Sequence, residues 1–279
     1  MRIIKVETIK EKIAKACDTM LFAYPEDIAK AIEQTAKNEQ ANAKIAMELL
    51  LKNSEIAQTK HIPICQDTGM VIVFVHVGRQ VMFDGNIDEA INEGVRLGYR
   101  DNYLRQSVVS DPLFKRENTK DNTPAIIYYD YIDGDKVIIE MMAKGFGSEN
   151  TSNLAMLKPA QGIEGVKAFV LDTVKKAGPN ACPPMIIGVG IGGTFELAPM
   201  LAKKALLREL SVSNPHQDYQ QLEDELLQAI NELNIGPLGL KGKTTALKVQ
   251  IEYYPTHIAG LPVAVNICCH VSRHKRMVI

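Results

Sequence analysis

The residues best equipped for chemistry stand in one run, His61-Ile62-Pro63-Ile64-Cys65-Gln66-Asp67-Thr68-Gly69, directly before the apolar segment Met70-Val71-Ile72-Val73-Phe74-Val75. A thiol, an amide, a carboxylate and a hydroxyl follow one another there. A thiolate is a soft metal ligand, and amide and carboxylate neighbours suit contact with a bound substrate. Pro63 and Gly69 bracket the run, so the chain turns there rather than extending. The Val- and Ile-rich segment behind it reads as an interior strand, and functional loops are commonly held at strand ends. The plainer reading is a buried cysteine beside an Asx turn.

A second polar cluster, Ala143-Lys144-Gly145-Phe146-Gly147-Ser148-Glu149-Asn150-Thr151-Ser152-Asn153, also follows a strand-like segment. It is either a solvated loop or a set of backbone N–H groups, with Lys144 and Asn150, arranged around an anion. The chain has five cysteines and no C-x-x-C pair, so neither a disulfide framework nor a zinc ribbon is expected. Cys17 sits inside a helix pattern and reads as structural. Cys65 and Cys182 each precede a strand, while Cys268 and Cys269 close another. Strand ends gathered at one sheet edge would bring three thiolates together, a donor set that suits an iron–sulfur cluster; the spacing alone decides nothing. His257 follows Tyr253-Tyr254-Pro255-Thr256 in a loop, where a ring can transfer protons or bind a carboxylate. A lone His is more often structural. Gly188, Gly190 and Gly193 match G-x-G-x-x-G between a strand and a helix. A dinucleotide site also needs an acidic residue at a strand end about 20 positions on. That region is Arg208-Glu209-Leu210 followed by a polar loop, so a tight turn competes equally with an anion site.

The elements that must position these residues follow from periodicity. Residues 5 to about 58 predict three helices, the first through Val6, Ile9, Ile13 and Ala16, the second opened by Pro25, the third through Ala43, Ile45, Ala46, Leu49 and Leu50. Asn86-Ile87-Asp88-Glu89 carries a capping-box pattern for a helix running toward Tyr99. Asp133-Gly134 between Ala125–Ile132 and Lys136–Met142 predicts a hairpin. Helices follow over 163–177, after Gly193 to about Leu210, and over 219–233, with final strands at 245–253 and 261–269. The fold class is α/β (mixed α+β): one domain over 1–279, with a helical N-terminal part at 1–58 and a cluster-binding α/β part at 59–279. Apolar residues make up 46% and charged residues 23%, and the net charge is −1, so no basic stripe points to nucleic acid. No signal core or run of about 20 apolar residues points to a membrane, and a cytoplasmic protein is expected.

Four segments occur in order: Ile64–Gly69, Lys144–Asn150, Ala181-Cys182-Pro183-Pro184 with Gly188–Thr194, and Leu261–Arg273. Together they resemble the iron–sulfur hydro-lyases of the class I fumarase and tartrate dehydratase family, and the length resembles the α subunit of the two-subunit forms. The resemblance implies a 4Fe-4S cluster on Cys65, Cys182 and Cys269, the last from Asn266-Ile267-Cys268-Cys269. It marks Gln66, Asp67, Arg105, Gly147 and His257 as lining the site of a small dicarboxylate, with Lys144 adding positive charge and Asp67 and His257 as the acid–base groups. Phe146 stands where many relatives carry glycine. The implied reaction is reversible hydration of fumarate to (S)-malate; the alternative is L-tartrate dehydration, and a nicotinamide-dependent oxidoreductase using the glycine loop is a more distant one. The basic ending Arg273–Ile279 reads as an interface or linker remnant. The resemblance further implies a separate β subunit and α–α self-association into an α2β2 assembly.

Overall fold

The computed structural model describes residues 1–279. In chain order its elements are β1 (Arg2–Ile4), α1 (Val6–Met20), α2 (Glu26–Ala36), α3 (Ala41–Lys60), β2 (Met70–Gly78), β3 (Val81–Phe83), α4 (Ile87–Asp101), β4 (Ile126–Ile132) and β5 (Val137–Lys144). There follow α5 (Phe146–Glu149), β6 (Asn153–Leu157), α6 (Gly162–Ala177), β7 (Met185–Gly192), α7 (Leu197–Ala205), α8 (Gln217–Glu232), β8 (Ala246–Tyr254), β9 (Leu261–Cys268) and β10 (His274–Val278). This is the mixed α/β class that the periodicity predicts. The chain divides into two compact units, each assembled from separated stretches: Met1–Pro25, Ser54–Phe146 and Arg273–Ile279 form the first, Glu26–Asn53 and Gly147–Ser272 the second. No helix is long and apolar enough to cross a membrane.

The first unit is built on a four-stranded sheet in the order β10-β5-β2-β4. Val71, Val73, Val75 and Val77 alternate along β2 into a core shared with Ile9, Ile13 and Cys17 of α1 and Ile91, Val95 and Tyr99 of α4. Period-2 residues on the strand thus meet period-3.6 residues on two helices. Asn86 caps α4, its side chain accepting the N–H groups of Asp88 at 3.0 Å and Glu89 at 3.3 Å.

Two expectations fail here. The strands flanking Asp133-Gly134 do not pair with each other: β2 lies between them, parallel to β4 and antiparallel to β5. The end of β2 takes up the turn's carbonyls, through Gly78 N to Lys136 O (2.8 Å), Arg79 N to Ile132 O (2.9 Å) and Gln80 N to Gly134 O (3.0 Å). Inserting the most apolar strand gives both of its ladders a partner, which a closed hairpin would deny it. Of the two readings of the ending, the linker fails: His274–Val278 is β10, antiparallel to β5 from His274 opposite Met142 to Val278 opposite Ile138.

The second unit holds a four-stranded sheet in the order β6-β9-β7-β8, with β7 parallel to β8 and antiparallel to β9. Ile187, Val189 and Ile191 of β7 pack with Val166, Val170 and Val174 of α6 and Leu222, Leu226 and Ile230 of α8. The opposite face of β7 carries Gly188 and Gly190, against which α7 lies. A Cβ on Gly190 would stand 2.0 Å from the Ala198 carbonyl oxygen, and one on Gly188 2.1 Å from that of Ala202. The glycine string records the close approach of a helix to a sheet. α7 ends at Ala205, short of the predicted Leu210. Gly190→Ala should therefore force α7 off the sheet and destabilise the protein by about 1–3 kcal/mol or more, read as a lower urea midpoint, whereas Gly134→Ala, where nothing lies within 4 Å of the added carbon, should cost only its positive-φ strain.

Candidate functional site

In the first unit the Cys65 turn precedes β2, and long-range side chains fix it. Gly69 has φ +80° and a Cβ there would lie 2.9 Å from the Ala143 and Lys144 backbone, so the turn and the end of β5 meet where only glycine fits. The Tyr99 hydroxyl donates to the Thr68 carbonyl at 2.8 Å, and the Asn122 amide donates to the Gly69 carbonyl at 3.1 Å. Arg273 donates through Nη1 to the Asp67 carbonyl. Burial pushes the Tyr99 hydroxyl pKa well up, so it remains a neutral donor. The Thr68 hydroxyl donates to the Arg105 carbonyl at 2.6 Å, which ties the segment carrying Arg105 to the cysteine turn.

Each Asp67 carboxylate oxygen accepts a backbone N–H: Oδ1 from Gly69 at 3.0 Å, Oδ2 from Phe146 at 2.7 Å. The first of the two polar clusters therefore bonds directly to the start of the second. Asp67 is half-buried, while Gln66 and Arg105 are exposed. Lys144 is 1% exposed, its Nζ donating to the Gly145 carbonyl at 3.2 Å. Arg273, read from the sequence as part of a basic tail, is 3% exposed. Its signal was present in the motif Leu261–Arg273, but its partner stands at the far end of the chain.

In the second unit Cys182 is exposed and left-handed (φ 50°, ψ 66°), a conformation costing roughly 1–2 kcal/mol outside glycine. Its backbone is fixed on both sides, N–H to the Pro179 carbonyl at 3.0 Å and carbonyl to the His270 N–H at 3.3 Å. That second bond sets the Cys182 loop beside the Cys269-His270 segment. Cys268 is buried as the last residue of β9, whereas Cys269 beyond it is half-buried. Asn266 donates to Glu149 Oε2 at 3.0 Å and to the Ser152 hydroxyl at 3.1 Å, anchoring the strand that ends in the two cysteines to the 149–152 segment. Gly147 is exposed with nothing within 4 Å of its Cβ position. His257 is exposed in a turn closed by its carbonyl and the Gly260 N–H at 3.0 Å, and its Nδ1 accepts the Ala259 N–H at 3.2 Å. The Thr256 hydroxyl bonds the Gly193 carbonyl at 2.8 Å, so this loop rests on the glycine string.

The chain matches the fumarate hydratase (Fumerase) family over residues 10–278, a span that contains all of these segments. The chain belongs to that family. Among similar proteins, one of Methanocaldococcus jannaschii named "Putative L(+)-tartrate dehydratase subunit alpha" is 43% identical, over 89% of this chain and 90% of its own. An Escherichia coli L(+)-tartrate dehydratase subunit alpha is 30% identical over 98% and 91% of the two chains, and a Shigella sonnei protein of the same name is 29% identical over the same shares.

Within neither unit do three His, Cys, Asp or Glu side chains gather at the distances of a single metal ion; a cubane instead takes its thiolates on different irons. The five thiols differ in access. Cys17 and Cys268 are buried, Cys65 and Cys269 half-buried, and Cys182 exposed. Burial also pushes the Cys17 thiol from its ordinary 9.0 up to about 12, so it stays protonated and unreactive where an open thiol ionises. Iodoacetamide on the native, iron-free protein should modify Cys182 first and Cys17 last. Raising the pH from 7 to 9 should not speed labelling at Cys17, since its thiolate appears only as pH nears 12. Peptide mass spectrometry reads both; early labelling of Cys17 would contradict its burial.

Proposed function

We propose that this chain is the α subunit of an iron–sulfur hydro-lyase that removes water from L(+)-tartrate. The observation that carries the substrate is the set of relatives named L(+)-tartrate dehydratase subunit alpha, matched over most of both chains. The family's name supports a second reading, hydration of fumarate to (S)-malate. Tartrate and malate, the hydroxy acids of the two reactions, differ by one hydroxyl. The nicotinamide reading loses its footing, because Gly188 and Gly190 are occupied in seating α7.

Cys65, Cys182 and Cys269 are the proposed ligands of a 4Fe-4S cluster. They are the three thiols that are not buried, and the bond between the Cys182 and His270 backbones supports pairing their two segments. When bound, a cluster with one iron left open by three thiolates supplies a Lewis acid for the substrate's hydroxyl and carboxylate. The rest of the chemistry falls to side chains. Arg105 is exposed and suited to a bidentate pair with a carboxylate. Gln66 and His257, both exposed, serve as hydrogen-bonding groups to substrate oxygens. Gly147, with open space at its Cα, lets a carboxylate approach the backbone, and Lys144 supplies buried positive charge. Asp67 assists proton transfer from the carbon beside the departing hydroxyl. Loss of that proton and that hydroxyl turns tartrate into the enol of oxaloacetate, which ketonises.

The relatives' designation as α subunits supports a separate β subunit; further cationic groups and a base from it, and an α2β2 assembly with paired α chains, belong to the same proposal. The α chain, reconstituted anaerobically with iron and sulfide, should turn over L(+)-tartrate only with its β partner present, and faster than it hydrates fumarate. Faster fumarate hydration would favour the second reading, and full turnover by the α chain alone would remove the β requirement. In the same preparation, Cys65→Ser, Cys182→Ser and Cys269→Ser should each lose the visible iron–sulfur absorbance, while Cys17→Ser and Cys268→Ser keep most of it.

A further inference from the structure

Three carbonyls of the Asp67–Gly69 turn are held by side chains from three distant segments, Arg273, Tyr99 and Asn122. Tyr99 and Asn122 are fully buried and neutral, and Arg273 is 3% exposed and charged. Its use of that charge is unusual. A guanidinium offers five donors in a fixed fork, yet the hydrogen bond here runs from Nη1 alone, to a main-chain carbonyl. Nε is buried without a partner. Nη2 stands 3.2 Å from the position a Cβ on Gly145 would take, and Asp67 Oδ2 stands 3.1 Å from that same point. Arg273 and the Asp67 carboxylate therefore face each other across Gly145 without closing an ion pair. A buried charge with so few bonds is costly for a fold to keep, and a neutral donor would satisfy one carbonyl without that cost. Its place is equally specific: Ala143 N–H bonds the Arg273 carbonyl at 3.1 Å, so the residue is fixed by the sheet at the point where β10 joins β5.

We infer that Arg273 is a positioning residue for the reaction. It holds the main chain of Asp67 so that the carboxylate is presented at a fixed place and angle, with its two oxygens kept by the Gly69 and Phe146 N–H groups. A charge-assisted bond is shorter and roughly twice as strong as a neutral one, so it restrains the turn where no ladder does. Lysine keeps the charge but carries it on a shorter, flexible stem that does not hold a nitrogen at the Nη1 position, so it does not reproduce this restraint. The inference rests on the proposed hydro-lyase reading for the role of Asp67, but not for the restraint itself.

The test uses the cluster-loaded αβ complex carrying Arg273→Lys, Arg273→Gln, Asp67→Asn, or Asp67→Asn with Arg273→Lys. Arg273→Lys should lower kcat on L(+)-tartrate about 100-fold, the cost of a small misplacement. KM and the iron–sulfur spectrum should hold within about twofold of the unsubstituted complex. In the Asp67→Asn background the same change should cost almost nothing further, because Arg273 acts through Asp67. A raised KM with kcat retained, additive losses in the double variant, or an Arg273→Gln complex as active as the parent would each overturn the inference. Hydrogen exchange over residues 65–69 gives a readout without catalysis: it should quicken in Arg273→Lys while β7 and β9 stay protected. Unchanged exchange overturns the inference, as does a failure of both Arg273 variants to fold. If the parent complex binds iron but dehydrates neither tartrate nor malate, the hydro-lyase reading fails alone, and exchange still decides whether Arg273 restrains the turn.

Discussion

The constraint on which the cysteine turn depends is that buried carbonyls must find donors. Residues 65–69 lie outside any helix or ladder, so no regular bonding absorbs the carbonyls of Asp67, Thr68 and Gly69. Arg273, Tyr99 and Asn122 supply those donors from three other segments. A loop held this way is specified by the whole first unit. α4 must pack on the β2 face to bring Tyr99 in, and β10 must join β5 to bring Arg273 in. The turn returns the constraint, since the Thr68 hydroxyl fixes the carbonyl of Arg105 and the Asp67 carboxylate fixes the N–H of Phe146.

The second unit solves a parallel problem by other means. Its cysteine loop is held by backbone bonds, with Cys182 in a left-handed conformation clasped between Pro179 and His270. The strand leading to Cys269 is anchored through Asn266 to Glu149 and Ser152. Both adjoin one sheet, β9 as a strand of it and the Cys182 loop just before β7, whose glycines let α7 lie flush on one face while branched residues fill the other. A rigid layer under irregular loops keeps polar side chains in place without much flexible surface around them.

What could be read in the sequence was local. The valine alternation of β2, the Asn86 cap, the helical stripe of α1 and the polar runs around Cys65 and Cys182 are each set by neighbours a few residues away. What could not be read was pairing at a distance. Asp133-Gly134 has the chemistry of a hairpin, but the choice of β2 as the partner of both strands is made by hydrogen bonds to a segment far upstream. Gly188 and Gly190 announce that something approaches the strand closely, and the sequence does not say whether it is a phosphate or the carbonyls of Ala198 and Ala202. Arg273 looks like one charge in a basic ending until Asp67 is placed against it. The candidate site residues were named because their motifs stand in order, and the residues that hold the cysteine turn were missed because a holder has no motif of its own.

The discontinuity of the first unit reverses the usual order of events on the ribosome. Domains generally form as they emerge, the earliest part first. Here β10 and Arg273 follow every element of the second unit in the chain. While that later stretch is being made, β5 waits with one edge bare, a surface that invites wrong pairing. The Asp67 carbonyl waits as well. The unit begun first thus receives β10 only after the whole second unit has been made.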